Sequence, residues 1–312
     1  MLNLTHIYND TIEVGYKDQQ LFHYVYIPDM PQLEAPKPYF HPMHTLAGDL
    51  ITNYRPYDHI WHKGLMMTMA HLSDVNPTGE DTKANFWGGG SYVHGTGYVQ
   101  LPNNGSMTHQ GWDQVTCDGA SVQMDERLTW LTYDGDAWID EERQMGVHVD
   151  EAAGYWQLDY RTKLTNIHSL DVVFGSPTTA GRPNAGYGGL FWRGPRSFLN
   201  GIVLTGGGPN GDMAGPDVMG TSAAWLSYTG RHDGTANTST MIFIDHPSNP
   251  RYPTKWFLRT DPFACASFAF SFDEELTLSP TDALDFRYRI IIANGGLERT
   301  DIEPLAQAFQ GA

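Results

Sequence analysis

The sequence predicts an all-β fold, one large antiparallel β-sandwich domain over residues 1–312 with a short C-terminal helix. Three observations predict it. Several segments alternate apolar and polar residues with a period of two, as half-buried strands do. Turn signals interrupt the chain at short spacing, without the strand and helix alternation of a parallel sheet. Only the last segment carries apolar residues at helical spacing. The length would accommodate two average domains, but no composition break marks a linker and no long-period repeat is visible.

In chain order, residues 11–16 and 21–27 flank the polar link Lys17-Asp18-Gln19-Gln20 and read as a hairpin. Pro28, Pro31, Pro36, Pro38 and Pro42 then exclude a continuous central strand or helix. Residues 86–92 and 94–97 are rich in glycine and aromatics; with no lysine-serine pair and no helix after them, they read as a close-packed or mobile loop rather than a phosphate cradle. Residues 128–133, the turn Asp134-Gly135-Asp136 and residues 137–147 form the clearest hairpin signal. Trp156, Leu158 and Tyr160 alternate with polar neighbours, as do Phe286, Tyr288 and Ile290, while residues 240–244 suit a strand covered on both faces. Residues 206–220 hold too much Gly and Pro for anything but loop. Thr300-Asp301-Ile302-Glu303 reads as a capping box, and Ile302, Leu305, Ala306 and Phe309 mark one helical face.

The formal charge of −17, from 19 basic and 36 acidic residues, excludes nucleic acid and anionic membrane surfaces as partners. The start lacks a basic segment followed by an apolar one, and no run is apolar enough for a membrane helix, so a soluble, cytoplasmic product is expected. Cys117 and Cys265 stand far apart and in no metal-binding spacing, which favours two free thiols over a disulfide. The sequence leaves a homo-oligomer open.

The densest chemistry lies between residues 37 and 71, where His41, His44, His59, His62 and His71 gather. Within Asp58-His59-Ile60-Trp61-His62-Lys63-Gly64 two imidazoles stand three residues apart. In a flat strand they would face apart, whereas in a bend they converge. Converging, they suit acid–base work or, with His109 as a third ligand, a divalent metal; no other cofactor is implied. The plainer alternative is that both rings bond backbone carbonyls at the end of a sheet. Glu142, beside Arg143, is the preferred catalytic carboxylate, with cross-strand ion pairing as its alternative role. Arg193 suits a clamp on a substrate oxygen or a stack on Trp192. Asp245, His246 and Asn249 follow a strand in a proline-fixed loop and are rim candidates, though an Asx turn alone would account for them. Trp87, Trp192 and Trp256 offer flat apolar faces to the CH face of a sugar.

Five ordered motifs then carry a family resemblance: Pro38-Tyr39 with His41-Pro42, Asp58-His59-x-x-His62-x-Gly64, Gly189-Leu-Phe-Trp-Arg193, Ala224-Trp225 with Tyr228-x-Gly230, and Asp245-His246-Pro-x-Asn249-Pro250. Together they make the chain resemble a bacterial family catalogued as "methane oxygenase PmoA", from about Pro38 to the segment 287–289. Where its relatives tend to read HPHHRG, this chain has His59-Ile-Trp-His62-Lys-Gly64, without the proline and one histidine. The resemblance implies a galactose-mutarotase-like β-supersandwich and a place in carbohydrate metabolism. It does not imply methane oxidation, since that enzyme's subunit spans a membrane and this sequence has no such span.

The expected function is acid–base, and in one version metal-assisted, chemistry on a sugar or oxidised (keto) glycoside, by elimination, hydrolysis or epimerisation. His59 or His62 would be the acid or base, His109 a second imidazole, Glu142 the opposing carboxylate and Arg193 the oxygen clamp. A noncatalytic carbohydrate-binding protein and a metal-dependent oxygenase of cupin type are the alternatives.

Overall fold

The computed structural model describes residues 1–76 and 83–311. Two large antiparallel sheets carry the fold. The eight-stranded one runs, edge to edge, through Leu2–Ile7, Thr11–Tyr16, Gln19–Val25, Tyr39–Met43, Leu65–Met69, Gly188–Arg193, Cys265–Phe268 and Trp256–Arg259. The nine-stranded one runs through Ser106–Cys117, Ser121–Leu131, Ala137–Asp150, Tyr155–Asn166, Ala283–Asn294, Thr238–Asp245, Trp225–Arg231, Ile202–Gly206 and Met213–Ala214. Their facing sides share one apolar core, in which Phe22, Phe40 and Trp192 of the first sheet meet Trp130, Trp156 and Phe243 of the second.

The period-two reading holds in Ser121–Leu131 and Tyr155–Asn166 of the nine-stranded sheet, whereas Trp225–Arg231 and Thr238–Asp245 are buried nearly throughout. Tyr155–Asn166 alternates buried and half-buried residues without a break and pairs in register with Ala283–Asn294, Tyr160 opposite Tyr288. The centre of the eight-stranded sheet departs from it, because Leu65–Met69 and Gly188–Arg193 are buried on both sides. Parity still sorts their residues: Leu65, Met67, Leu190 and Trp192 enter the shared core, whereas Met66 and Phe191 join a second apolar cluster on the sheet's other face. That second cluster, with Trp87, Phe257 and Phe272, is the bed of the site described below.

Some elements differ from expectation. The proline-rich stretch contains the strand Tyr39–Met43 in the middle of a sheet; its ladder is reduced to Phe40 opposite Leu65 on one side, so the missing proline donor is tolerated. Residues 206–220 include a short edge strand and the turn of 3-10 helix Gly215–Val218. The helix spans Arg299–Gln310, and its box uses Glu298 and Asp301 rather than Thr300 and Glu303. Asp301 accepts the Glu298 N–H at 2.9 Å, and Arg299, donating to the Thr205 carbonyl at 2.6 Å and lying over Trp225, ties the first turn to the sheet. Ile302, Ala306 and Phe309 cover Ile242, Ile244 and Ile291. Among the described residues no helix is long and apolar enough to cross a membrane. Cys117 and Cys265 are both free thiols.

A charged network is sealed inside the sandwich. Glu141 accepts from Arg143 Nε at 2.8 Å and Nη2 at 3.0 Å, from Trp130 Nε1 at 2.8 Å and from Thr162 Oγ1 at 2.8 Å. Arg143 Nη1 donates to the Tyr24 hydroxyl at 2.6 Å, Tyr24 donates to Glu126, and Glu126 bonds His109 Nδ1 at 2.7 Å.

Two stability predictions arise here. Gly64 adopts a φ of +60°, and a Cβ there would run into the Phe40 carbonyl oxygen; Gly64→Ala therefore lowers stability by at least about 2 kcal/mol in urea unfolding. Gly95→Ala, at φ +76° with nothing near the added carbon, loses only about 1 kcal/mol. Arg143→Met strands buried carboxylates and costs about 3–5 kcal/mol in the same measurement.

Candidate active site

The segment that holds the two imidazoles folds as consecutive turns. The His59 N–H donates to the Pro56 carbonyl at 3.0 Å and the His62 N–H to the His59 carbonyl at 3.0 Å, which brings the two side chains to one side. The segment is stapled to the sheet centre: Gly64 N–H donates to Asn53 at 2.8 Å, Arg193 N–H to Gly64 at 2.8 Å, and Asn53 N–H to Arg193 at 2.9 Å. The rings of His59 and His62 stack with centroids 4.6 Å apart and planes 11° from parallel.

Arg193 lies behind them. Its Nη2 donates to both oxygens of Asp58, at 3.0 and 2.8 Å, and its Nη1 donates to His62 Nδ1 at 2.9 Å. Asp58 Oδ2 in turn stands 3.0 Å from His59 Nδ1. Guanidinium has no lone pair to offer, so His62 Nδ1 is the acceptor and the proton of the neutral ring sits on Nε2. Burial lowers the His62 pKa far below the ordinary value, and the neighbouring His59 and Arg193 lower it further, so the ring is neutral. Its Nε2 is buried without a partner among the described residues.

Asp58 has the opposite effect on His59. Burial works to raise the Asp58 carboxyl, but the hydrogen bonds from Arg193 and His59 outweigh it and hold the group below its ordinary range. An ionised carboxylate accepts, so His59 carries its proton on Nδ1 and exposes the lone pair of Nε2. The His59 pKa is also lowered, chiefly by burial and secondarily by Arg193 and Arg259, against the raising influence of Asp58.

These two rings open on a cavity of about 450 Å³ on the outer side of the eight-stranded sheet, with Trp61, Trp87, Tyr98, Tyr187, Phe257 and Phe263 as its aromatic walls. Trp87 and Tyr187 lie 4.4 Å apart, and Phe263 covers Arg193 at 3.9 Å. The glycine-rich loop completes the wall, because Gly88 and Gly89 let Trp61 pack close to the backbone; a Cβ on Gly88 would come within 2.6 Å of the Trp61 Cβ and one on Gly89 within 2.6 Å of its ring. Behind the wall, Lys63 and Arg55 share the buried Glu34. Lys37 Nζ donates to the carbonyls of Glu34, Ala35 and Trp87, which fixes Trp87 from the rear.

Of the residues singled out from sequence, His59, His62 and Trp87 line this cavity, and Arg193 stands directly behind it. The others lie elsewhere. Glu142 is on the outer face of its strand and pairs with Lys163 at 2.8 Å. His109 belongs to the Glu126 network on the other sheet. Trp192 and Trp256 face the core and donate to the carbonyls of Ile51 and Ala223. Asn249 bonds Asp245 at 2.7 Å and the Arg287 carbonyl at 2.7 Å, and Asp245 also accepts the Thr254 N–H, so these residues shape a loop. Burial pushes the Asp245 carboxyl up to about 7. His246 packs edge-on to Phe309. His41 bonds Thr52 and stacks on Tyr54, and His71 lines a separate cavity.

A divalent metal does not fit this arrangement. Among the described residues no three His, Cys, Asp or Glu side chains converge on one point. His62 keeps a proton on its buried Nε2 and has a guanidinium at its other nitrogen, which repels a cation.

The lining residues Arg182, Arg259, Tyr98 and Phe263 carried no local motif. One signal was readable: Phe257 and Arg259 stand two apart on one strand and so share a face.

Comparison with solved structures finds similarity at low identity. A galactose 1-epimerase from Lactobacillus acidophilus is 9% identical over 95% of this chain and 99% of that one, with a TM-score of 0.42. A galactose mutarotase-like protein from Clostridium acetobutylicum is 9% identical over 94% and 98%, with a TM-score of 0.40. An alpha-galactosidase from Lactobacillus brevis is 10% identical over 95% of this chain and 40% of that one, with a TM-score of 0.39. No curated protein matches the sequence. Residues 11–307 match a family of unknown function, DUF6807, and the chain belongs to that family.

Proposed function

We propose that the chain is an enzyme that moves a proton at a saccharide carbon adjacent to a carbonyl, the step common to an epimerisation and to an elimination from an oxidised sugar. One observation carries this reading: two stacked imidazoles are fixed in opposite tautomers by Asp58 and Arg193. His59 Nε2 takes the proton as general base. The neutral His62 Nε2–H donates to the carbonyl oxygen as negative charge builds there. Arg193 and Asp58 are positioning residues, since each touches an imidazole rather than the cavity. The aromatic walls suit the CH faces of a sugar ring, and the volume falls in the range of small-molecule sites. Hydrolysis by a carboxylate pair has no support here, because among the described residues none that lines the cavity is acidic.

The test is deuterium incorporation from D2O into a panel of keto sugars, followed by NMR. The wild-type protein labels the carbon beside the carbonyl, and His59→Gln lowers the labelling rate about 100-fold or more with little change in melting temperature. Unlabelled sugar recovered from the wild type, or an undiminished rate in the variant, leaves a binding protein instead of a catalyst.

The pH profile gives a second prediction. His59 works as a base only when neutral, so kcat/KM rises with pH and levels off, and its acidic limb lies below the ordinary histidine value of 6.5 because the folded ring's pKa is lowered. Arg193→Met removes a charge that lowers the His59 pKa and frees Asp58 to raise it, so the limb moves to higher pH. A merely structural role for Arg193 would lower the rate at every pH and leave the limb in place.

A further inference from the structure

We propose that the saccharide this cavity takes is anionic, a sugar bearing a carboxylate or phosphate oxyanion that Arg259 receives. The proposal rests on the acid–base reading for the saccharide and on the cavity's own polarity for the charge. The protein carries a formal charge of −17, yet among the described residues none that lines the cavity is acidic, and two are arginines, Arg182 and Arg259. Among the described residues the Arg259 guanidinium has no hydrogen-bond or ion-pair partner; the Phe257 ring lies 5.5 Å from it, and its charge also acts on His59 and Tyr187. Arg182 donates to the Tyr98 hydroxyl, which lies 2.8 Å from that of Tyr187, so its remaining donors are also free. Two further donors of the lining, Trp61 Nε1 and His62 Nε2, are buried with no acceptor among the described residues.

The acceptors are few. Asp58, the carboxylate nearest the imidazoles, has both oxygens engaged by Arg193 and His59. Among the described lining residues, the side-chain acceptors that remain are the lone pair of His59 and the two tyrosine hydroxyls. The hydroxyls of a neutral sugar can accept from the guanidinium but leave its charge uncompensated. An oxyanion brings acceptors alone, and charge-assisted bonds from Arg are the strong kind. The negative remainder of the molecule repels anions at long range, so the selectivity resides in the cavity and depends on salt.

Calorimetric titration tests this without turnover. The probes are D-glucuronate, D-galacturonate, D-glucose 6-phosphate and their neutral parents, D-glucose and D-galactose, against the wild type, Arg259→Gln, Arg259→Lys and the exposed control Arg231→Gln. At least one acid or phosphate binds the wild type about tenfold more tightly than its neutral parent, the worth of one charged hydrogen bond. The preference shrinks in high salt, disappears in Arg259→Gln, returns in part in Arg259→Lys and survives in Arg231→Gln. Which probe wins separates carboxylate from phosphate. If no anion exceeds its parent, or the preference persists in a folded Arg259→Gln protein, the proposal is overturned. That failure leaves the His59-dependent deuterium exchange untouched, and loss of exchange leaves a charge-selective cavity, so the two readings fail separately.

Discussion

The bidentate contact between Arg193 and Asp58 decides the state of both imidazoles at the cavity. Remove the carboxylate and a guanidinium is left almost fully buried without its counter-charge, with His59 free to turn over. Remove the guanidinium and His62 loses the donor that fixes its tautomer. The Arg193 side chain is only 3% exposed, but that of Asp58 is 25% exposed. One end of the pair therefore keeps contact with water, and the desolvation cost stays below that of a fully sealed pair.

The ion pair is held by the centre of a sheet. Arg193 ends the strand Gly188–Arg193, which is paired on both sides, with Leu65–Met69 and with Cys265–Phe268. Backbone bonds on either side of Gly64 and Asn53 then bind the imidazole-bearing turns to that strand. Glu34, shared by Lys63 and Arg55, closes the rear of the same segment. A site carried on rigid elements holds its side chains more closely than one carried on a free loop. It also explains why Gly64 tolerates no side chain: the turn must come within contact of the Phe40 carbonyl to reach Arg193 at all.

Much of the fold was legible because period-two alternation is a local signal, and Tyr155–Asn166 or Ala283–Asn294 read correctly from their own residues. The floor of the site was legible for the same reason, since Asp58, His59 and His62 lie within five residues of one another. The walls were not. Arg182 arrives from one segment and Arg259 and Phe263 from another, and only the sheet order, a non-local property, brings them to the histidines. Glu142 shows the cost of reading adjacency for proximity. Neighbours in a strand face opposite ways, so Arg143 shares its face with Glu141 inside the sandwich, while Glu142 meets Lys163 on the surface. The same parity turns Trp192 into the core and leaves Phe191 on the cavity side.

The division of charges around the imidazoles has a chemical logic. Had each ring met a carboxylate at Nδ1, both would carry their proton there, both would be drawn toward the charged form, and both would offer the same lone pair. A carboxylate on His59 and a guanidinium on His62 break that equivalence with a single ion pair, so that rings 4.6 Å apart present one acceptor and one donor. Proton abstraction beside a carbonyl needs that pair of opposites, one group to take the proton and one to hold the oxygen. The lack of acidic side chains in the described lining preserves it, because an acidic neighbour at either Nε2 would favour the imidazolium and erase the base.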